Sequence, residues 1–345
     1  MLCRGYTKAG CVQENEIVGR CVAQTASLSP HRSTRARVLS CGLLAVLIGF
    51  AQITRCAAQA VPENAPADAL AQARADLDHG RLADADKKLR DYLAAHPLDV
   101  EAQYLLAYTL FREDKPADSL KQYTEAAQHR HPKAADLKTV ALDYVLLNDY
   151  ADAEHWIRYA LSLDANDPEA WYEAGRIEYT LNYFRPALEA FQRSLQLDPA
   201  SVKAENNLGL TLEALNRVDE AISAYRKAMA MQATSSHPSE QPMLNLAKVL
   251  IDRNQLDEAL RLLQQAQQIA PRDWKILAQL GRLYTQTGNL NAAREVLEQA
   301  VAIEPQQASL HFQLGQVYKK SGSSEKAQAE FAATQKLLGT KSSAP

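Results

Sequence analysis

Beyond residue 60 the sequence contains no cysteine: Cys3, Cys11, Cys21, Cys41 and Cys56 are the full set. Residues 61–345 therefore have no disulfide framework and no cysteine-based zinc site open to them, and packing alone must stabilise their fold. Glycine is scarce at 13 residues, and aromatics make up only 7% of the 345. With alanine abundant, that composition favours helices over sheets. Positive charge is also short. The first sixty residues hold seven basic and two acidic side chains, which leaves 31 basic against 39 acidic after residue 60, a net charge of -8. An acidic body excludes general binding to a phosphate backbone, so no nucleic-acid partner is expected. No phosphate-binding glycine loop, H-E-x-x-H, G-x-S-x-G or Cys/His pair occurs in the body. Nothing marks an enzyme, and no cofactor is expected.

A membrane-spanning run is missing as well. The longest apolar stretch, 38–51, is shorter than the roughly 20 residues a comfortable span needs. Arg32, Arg35 and Arg37 precede it, and the small-x-small triplet Ala58-Gln59-Ala60 follows. That order is the layout of a secretory signal, so residues 1–60 read as an export region cleaved after Ala60, and the mature protein as periplasmic or secreted. The long stretch upstream of the arginines reads as an over-extended start. The competing reading is an uncleaved signal anchor, in which 38–51 holds the chain at a membrane. A lipoprotein site at Cys41 falls too early in the apolar run, and the compact apolar core disfavours an organelle transit peptide.

What fills the rest is a period of 34 residues. Units begin at 66, 100, 134, 168, 202, 240, 274 and 308 and together span 66–341 (66–99, 100–133, 134–167, 168–201, 202–239, 240–273, 274–307 and 308–341). One interval is 38, with four extra residues entering at 235–242. Position 8 of every unit is Gly or Ala: Ala73, Ala107, Ala141, Gly175, Gly209, Ala247, Gly281 and Gly315. Position 20 is Ala in seven units and Ser119 in the second. Small residues at two fixed points let two antiparallel helices approach closely. Position 24 supplies a bulky partner: Leu89, Tyr123, Ile157, Phe191, Tyr225, Leu263, Leu297 and Phe331. Position 15 is Gly80, Asp114, Asn148, Asn182, Asn216, Asn254, Gly288 or Gly322, residue types that tolerate a left-handed backbone where a helix ends. Pro97, Pro199, Pro271 and Pro305 close units where the second helix must stop. Each unit thus predicts helix A, a tight turn, helix B and a short link, with no strand.

These residues resemble the tetratricopeptide repeat family. Its pattern W-x2-L-G-x2-Y…A-x3-F…P is matched by Trp171, Ala174, Gly175, Ala187, Phe191 and Pro199; by Leu280, Gly281, Tyr284, Ala293 and Pro305; and by Leu314, Gly315, Tyr318, Ala327 and Phe331. The resemblance implies an all-α, right-handed superhelical solenoid of eight helix-turn-helix repeats with a concave groove that receives a protein or peptide. The first unit departs most. Gln72 and Asp76 stand at usually apolar positions, which reads as the polar, water-facing cap of an array. No additional polar helix is read after the eighth unit, so its outer edge is expected to be open or paired.

On helix A, positions 4, 7, 8 and 11 share the packed side, and positions 2, 5, 6, 9, 12 and 13 point roughly opposite. In the family that opposite side lines the groove. Candidate groove residues in repeats two and four are Tyr104, Tyr108, Phe111, Tyr172, Arg176 and Tyr179; exposed aromatics would offer apolar pockets, whereas the alternative packs them against the next helix A. Position 6 of the last four repeats is Asn207, Asn245, Gln279 and Gln313, amides suited to the backbone of an extended ligand. Lys203, Lys248, Lys275 and Arg282 add local positive charge on the same face and would favour an acidic or carboxylate-bearing peptide. The family's carboxylate clamp is matched only at Asn207, because Tyr172 and Arg176 precede it. His129-Arg130-His131 is the nearest approach to a metal site, without a third ligand, so no metal is expected. The leading expectation is an exported scaffold that binds a protein or extended peptide. Its rival is a structural subunit of an envelope assembly, of polysaccharide export or outer-membrane biogenesis, acting by self-association or subunit stacking.

Overall fold

The structure is a computed structural model describing residues 65–342; the apolar run 38–51 and the cleavage point after Ala60 lie outside the described residues. Sixteen helices follow one another in pairs, and no strand occurs among the described residues. They are α1 (Ala65–Asp78), α2 (Leu82–Ala95), α3 (Val100–Arg112), α4 (Pro116–Ala127), α5 (Ala134–Leu146), α6 (Tyr150–Leu163), α7 (Pro168–Thr180), α8 (Phe184–Leu197), α9 (Val202–Ala214), α10 (Val218–Met231), α11 (Gln241–Asp252), α12 (Leu256–Ile269), α13 (Trp274–Gln286), α14 (Leu290–Ile303), α15 (Ala308–Lys320) and α16 (Ser324–Ser342). The chain divides into two compact units after Asn148, inside the turn of the third repeat. The first holds α1–α5 and the second α6–α16. Among the described residues, no helix is long and apolar enough to cross a membrane.

The turns follow from backbone sterics. Every helix A ends two residues before a left-handed position, and these eight positions are Gly80, Asp114, Asn148, Asn182, Asn216, Asn254, Gly288 and Gly322, with φ between 58° and 83°. Asn and Asp accept that region at low cost because a short polar side chain can bond locally, and Gly because it has no Cβ. The next helix A often starts on a side-chain cap at position 34. Asp99 accepts from the Ala102 amide at 3.1 Å, Asp167 from those of Glu169 and Ala170, Ser201 from Ala204, and Asp273 from Lys275. The four-residue insertion forms the link between α10 and α11. The buried Gln232 side chain closes it, donating to the Ser239 carbonyl at 2.6 Å and accepting from the Ser239 amide at 2.8 Å.

Within each unit the core repeats one packing rule. The position-8 residues are buried, and so are all eight at position 20. A Cβ built on Gly209 would lie 2.5 Å from the Tyr225 ring, and one on Gly281 would lie 2.5 Å from Leu297 Cγ. The bulky position-24 side chain of helix B thus sits directly on the backbone of helix A, an approach that only Gly permits there. Burying such a side chain contributes about 1.5–3 kcal/mol. The second unit's largest cluster gathers Tyr225, Leu246, Leu250, Leu263, Ile276 and Leu280 from α10 to α13, so successive hairpins share one core.

The first hairpin corrects one expectation. Asp76 is not a water-facing cap residue; its carboxylate is buried, accepting from Arg81 at 2.6 Å and from Lys88 at 2.5 Å. Hydrogen bonds from Lys88 and Arg81 hold it below the usual carboxylate range. Two basic side chains from the turn and helix B replace the apolar contact that position 11 usually makes, while Gln72 is exposed.

Candidate functional site

Tyr104, Tyr108 and Phe111 lie in the first unit; the other candidates lie in the second. In the first, Tyr104 is only 4% exposed. Its hydroxyl donates to the Arg130 carbonyl at 2.6 Å, its ring lies 5.9 Å from Tyr123, and the Arg130 guanidinium sits 4.5 Å over its face. Burial pushes this phenol up to about 12. Tyr108 and Phe111 are half-buried, with ring centres 6.2 Å apart.

In the second unit, Tyr172 is 9% exposed and sits 5.9 Å from the Phe191 ring. The Asn207 amide donates to its hydroxyl at 3.0 Å, and the Lys203 ammonium lies 4.3 Å from its ring centre. Tyr179, half-buried, meets Phe184 edge-on at 5.5 Å. Position 5 is therefore not a groove surface from the second to the seventh repeat, wherever it carries an apolar or amide residue. Tyr104, Tyr172, Asn206, Leu244 and Ala278 are all buried between hairpins. The helical wheel placed this position opposite the packed side, but a hairpin array packs helix A on two sides, once within its repeat and once against the next.

The position-6 amides divide into two pairs. Asn207 is engaged with Tyr172, and Asn245, itself buried, donates to Asn206 Oδ1 at 3.0 Å. These two tie neighbouring repeats together. Gln279 and Gln313 are half-buried, and the Oε1 of each is enclosed without a hydrogen-bond partner. The cations divide too. Lys203 binds both oxygens of Glu169 at 2.6 and 2.7 Å, and Arg282 pairs with Asp252. Arg176 donates to the buried Glu173 at 2.9 Å, and Lys275 lies 5.8 Å from the Trp274 ring. Lys248, half-buried on α11, forms no such pair among the described residues.

Besides Glu173, three buried carboxylates escaped the sequence reading. Asp143 is fully buried, accepts from Ser119 Oγ at 2.6 Å, and is pushed up to about 7 by burial. Glu178, equally buried, is also raised to about 7; desolvation outweighs the Arg158 guanidinium beside it. Glu205 is held by Lys227 at 2.8 Å. A signal was available: at position 10 Asp143 replaces the Thr, Val, Leu, Ile or Ala of the other repeats. His129 and His131 are exposed, and no group of three or more metal-ligating side chains occurs among the described residues. A cavity of about 370 Å³ lies between α6, Trp171 and α8, lined by Arg158, Glu189 and Arg193, and no groove candidate contributes to it.

A chain of paired helices on a 34-residue period, with small residues at the crossings, is a helical-hairpin repeat protein. Family models of the tetratricopeptide repeat match residues 70–135, 168–201, 200–272, 250–306 and 288–337, more than half of the sequence. The chain belongs to the tetratricopeptide repeat family, a family of protein-binding scaffolds. It is 26% identical over 223 residues to tetratricopeptide repeat protein 8 of Caenorhabditis elegans, covering 63% of this chain and 42% of that protein. The chain spans less than half the length of the curated relatives it matches first. Among solved structures, that of PilW, described as a widely conserved type IV pilus biogenesis factor, superposes with a TM-score of 0.54 at 24% identity, covering 59% of this chain and 92% of PilW. A tetratricopeptide repeat protein from Parabacteroides merdae superposes at 0.58 with 15% identity over 73% of this chain and 98% of that one. At these identities the likeness is one of fold.

Proposed function

We propose that this protein is an exported, non-enzymatic scaffold that holds an extended segment of a partner protein along the helix A faces of its last repeats. The observation that carries the reading is the pair Gln279 and Gln313. They stand one period apart, neither Oε1 has a partner, and no neighbouring repeat consumes these amides as it does Asn207 and Asn245. A half-turn about each terminal torsion exchanges oxygen for NH2, so each group offers a donor or an acceptor to a peptide backbone laid beside it. Lys248 in the sixth repeat favours a partner segment with carboxylates, whereas Arg282 in the seventh already pairs with Asp252. The reading of an exported protein rests on the arginines, apolar run and Ala58-Gln59-Ala60 of the first sixty residues. Its check is the amino terminus of the protein recovered from cells, expected at Val61.

The binding test is affinity capture with the full chain, followed by Gln279→Ala with Gln313→Ala. Capture is expected to fall while the melting temperature stays put. Undiminished capture by the double variant would overturn the groove assignment.

A further inference from the structure

The aromatic pair that joins positions 5 and 24 occurs three times with one geometry: Tyr104–Tyr123 at 5.9 Å and 53°, Tyr172–Phe191 at 5.9 Å and 55°, and Phe312–Phe331 at 5.9 Å and 52°. In repeat four the following helix A covers the pair, with Ala204 and Leu208 of α9 packed against Tyr172 and Phe191. Tyr172 is 9% exposed there, whereas Phe312 is 47% exposed. Leu338, 56% exposed, lies seven residues beyond Phe331, two turns along the same face of α16. The last hairpin thus carries a finished socket for a helix A without one seated in it among the described residues.

The charge around the socket says what fits. Residues 308–341 carry five lysines against two glutamates, a net of +3, in a body whose net charge is -8. Lys319 stands at position 12, the register of Tyr179, which packs on the same cluster in repeat four; Lys320 follows it, and both are exposed. A second copy bound through the same edge would oppose two basic rims. We propose that this edge docks an amphipathic helix of a partner protein, one with small and aliphatic residues on its apolar stripe and acidic residues beside it. The site is separate from the groove, so the two readings can fail independently.

The probes are two labelled peptides built on residues 201–215, the segment whose helix covers Tyr172 and Phe191. One carries Lys203→Glu and so has three glutamates; the other carries Glu205→Lys and Glu213→Lys and so has three lysines. Fluorescence anisotropy with the full chain is expected to show the acidic peptide bound about tenfold or more tighter than the basic one. Phe312→Glu and, separately, Lys319→Glu with Lys320→Glu should each weaken the acidic peptide to a similar degree, with far-UV circular dichroism unchanged. Gln279→Ala with Gln313→Ala should leave it alone. The proposal is overturned if neither peptide binds, if both bind equally, if the edge variants leave binding intact, or if light scattering shows a dimer that Phe312→Glu dissociates.

Discussion

Asp143 offers the sharpest quantitative handle on the core. Its carboxyl is fully buried in α5, one oxygen takes the Ser119 hydroxyl at 2.6 Å, and the other has no partner. Burial lifts its titration from the ordinary 3.8 to about 7. A folded-state pKa above the unfolded one means that the native protein holds the proton longer. The contribution to stability is then full below about pH 4 and is lost as pH rises through 7, amounting to roughly 4 kcal/mol by pH 8. The chain itself supplies the replacement. Thr109 and Thr211 occupy the same position in repeats two and five, buried, each donating to the carbonyl four residues back at 2.7 and 2.8 Å. Asp143→Thr should therefore remove the pH term without leaving an orphaned donor. Urea unfolding followed by circular dichroism at intervals from pH 4 to pH 8 should show the variant gaining on the parent by several kcal/mol, mostly between pH 4 and 7. Glu178 titrates in both proteins and cancels in the difference. Because repeat arrays open locally, amide exchange along α5 provides the matching local reading. A difference that stays flat with pH, or one that shrinks as pH rises, would refute the reasoning.

Other substitutions test the packing rule and the division of the amide row. Gly281→Ala places a Cβ against Leu297 and should cost about 1–3 kcal/mol, read as a lower urea midpoint. Asn245→Ala strands the Asn206 carbonyl oxygen and should cost about 1–3 kcal/mol, whereas Gln313→Ala should stay within about 0.5 kcal/mol of the parent. Asn216→Ala, at φ 59°, should cost about 1 kcal/mol and Asn216→Gly less, measured by thermal unfolding.

Period and turn chemistry made the fold legible before any coordinates. The left-handed residues at position 15 and the small residues at positions 8 and 20 are demanded by local sterics, which leave their mark in every repeat regardless of neighbours. The candidate surface was less legible, because a helical wheel assigns one buried side to helix A and the array gives it two. Tyr104 and Tyr172 therefore read as groove residues, although they serve the joint between hairpins. Asn207 and Asn245 differ from Gln279 and Gln313 in what position 5 of the preceding repeat presents, a contact between repeats that a single-helix wheel does not show: Tyr172 and Asn206 reach the shorter amides, while position 5 of repeats six and seven is Leu244 and Ala278, which offer no partner. The buried acids were visible as departures from the column and passed unnoticed because charge on a helix is usually solvated.

The 34-residue hairpin as the unit of both fold and binding is tested most directly by excision. Removing 274–307, one whole repeat including Gln279, should leave a folded, cooperative helical protein with undiminished mean ellipticity per residue and weakened partner capture, because Ala308 then begins the helix A that follows α12. Removing only 274–290 should unfold or aggregate the C-terminal hairpins. An unfolded product from the whole-repeat deletion, or equal tolerance of the half-repeat one, would contradict the account.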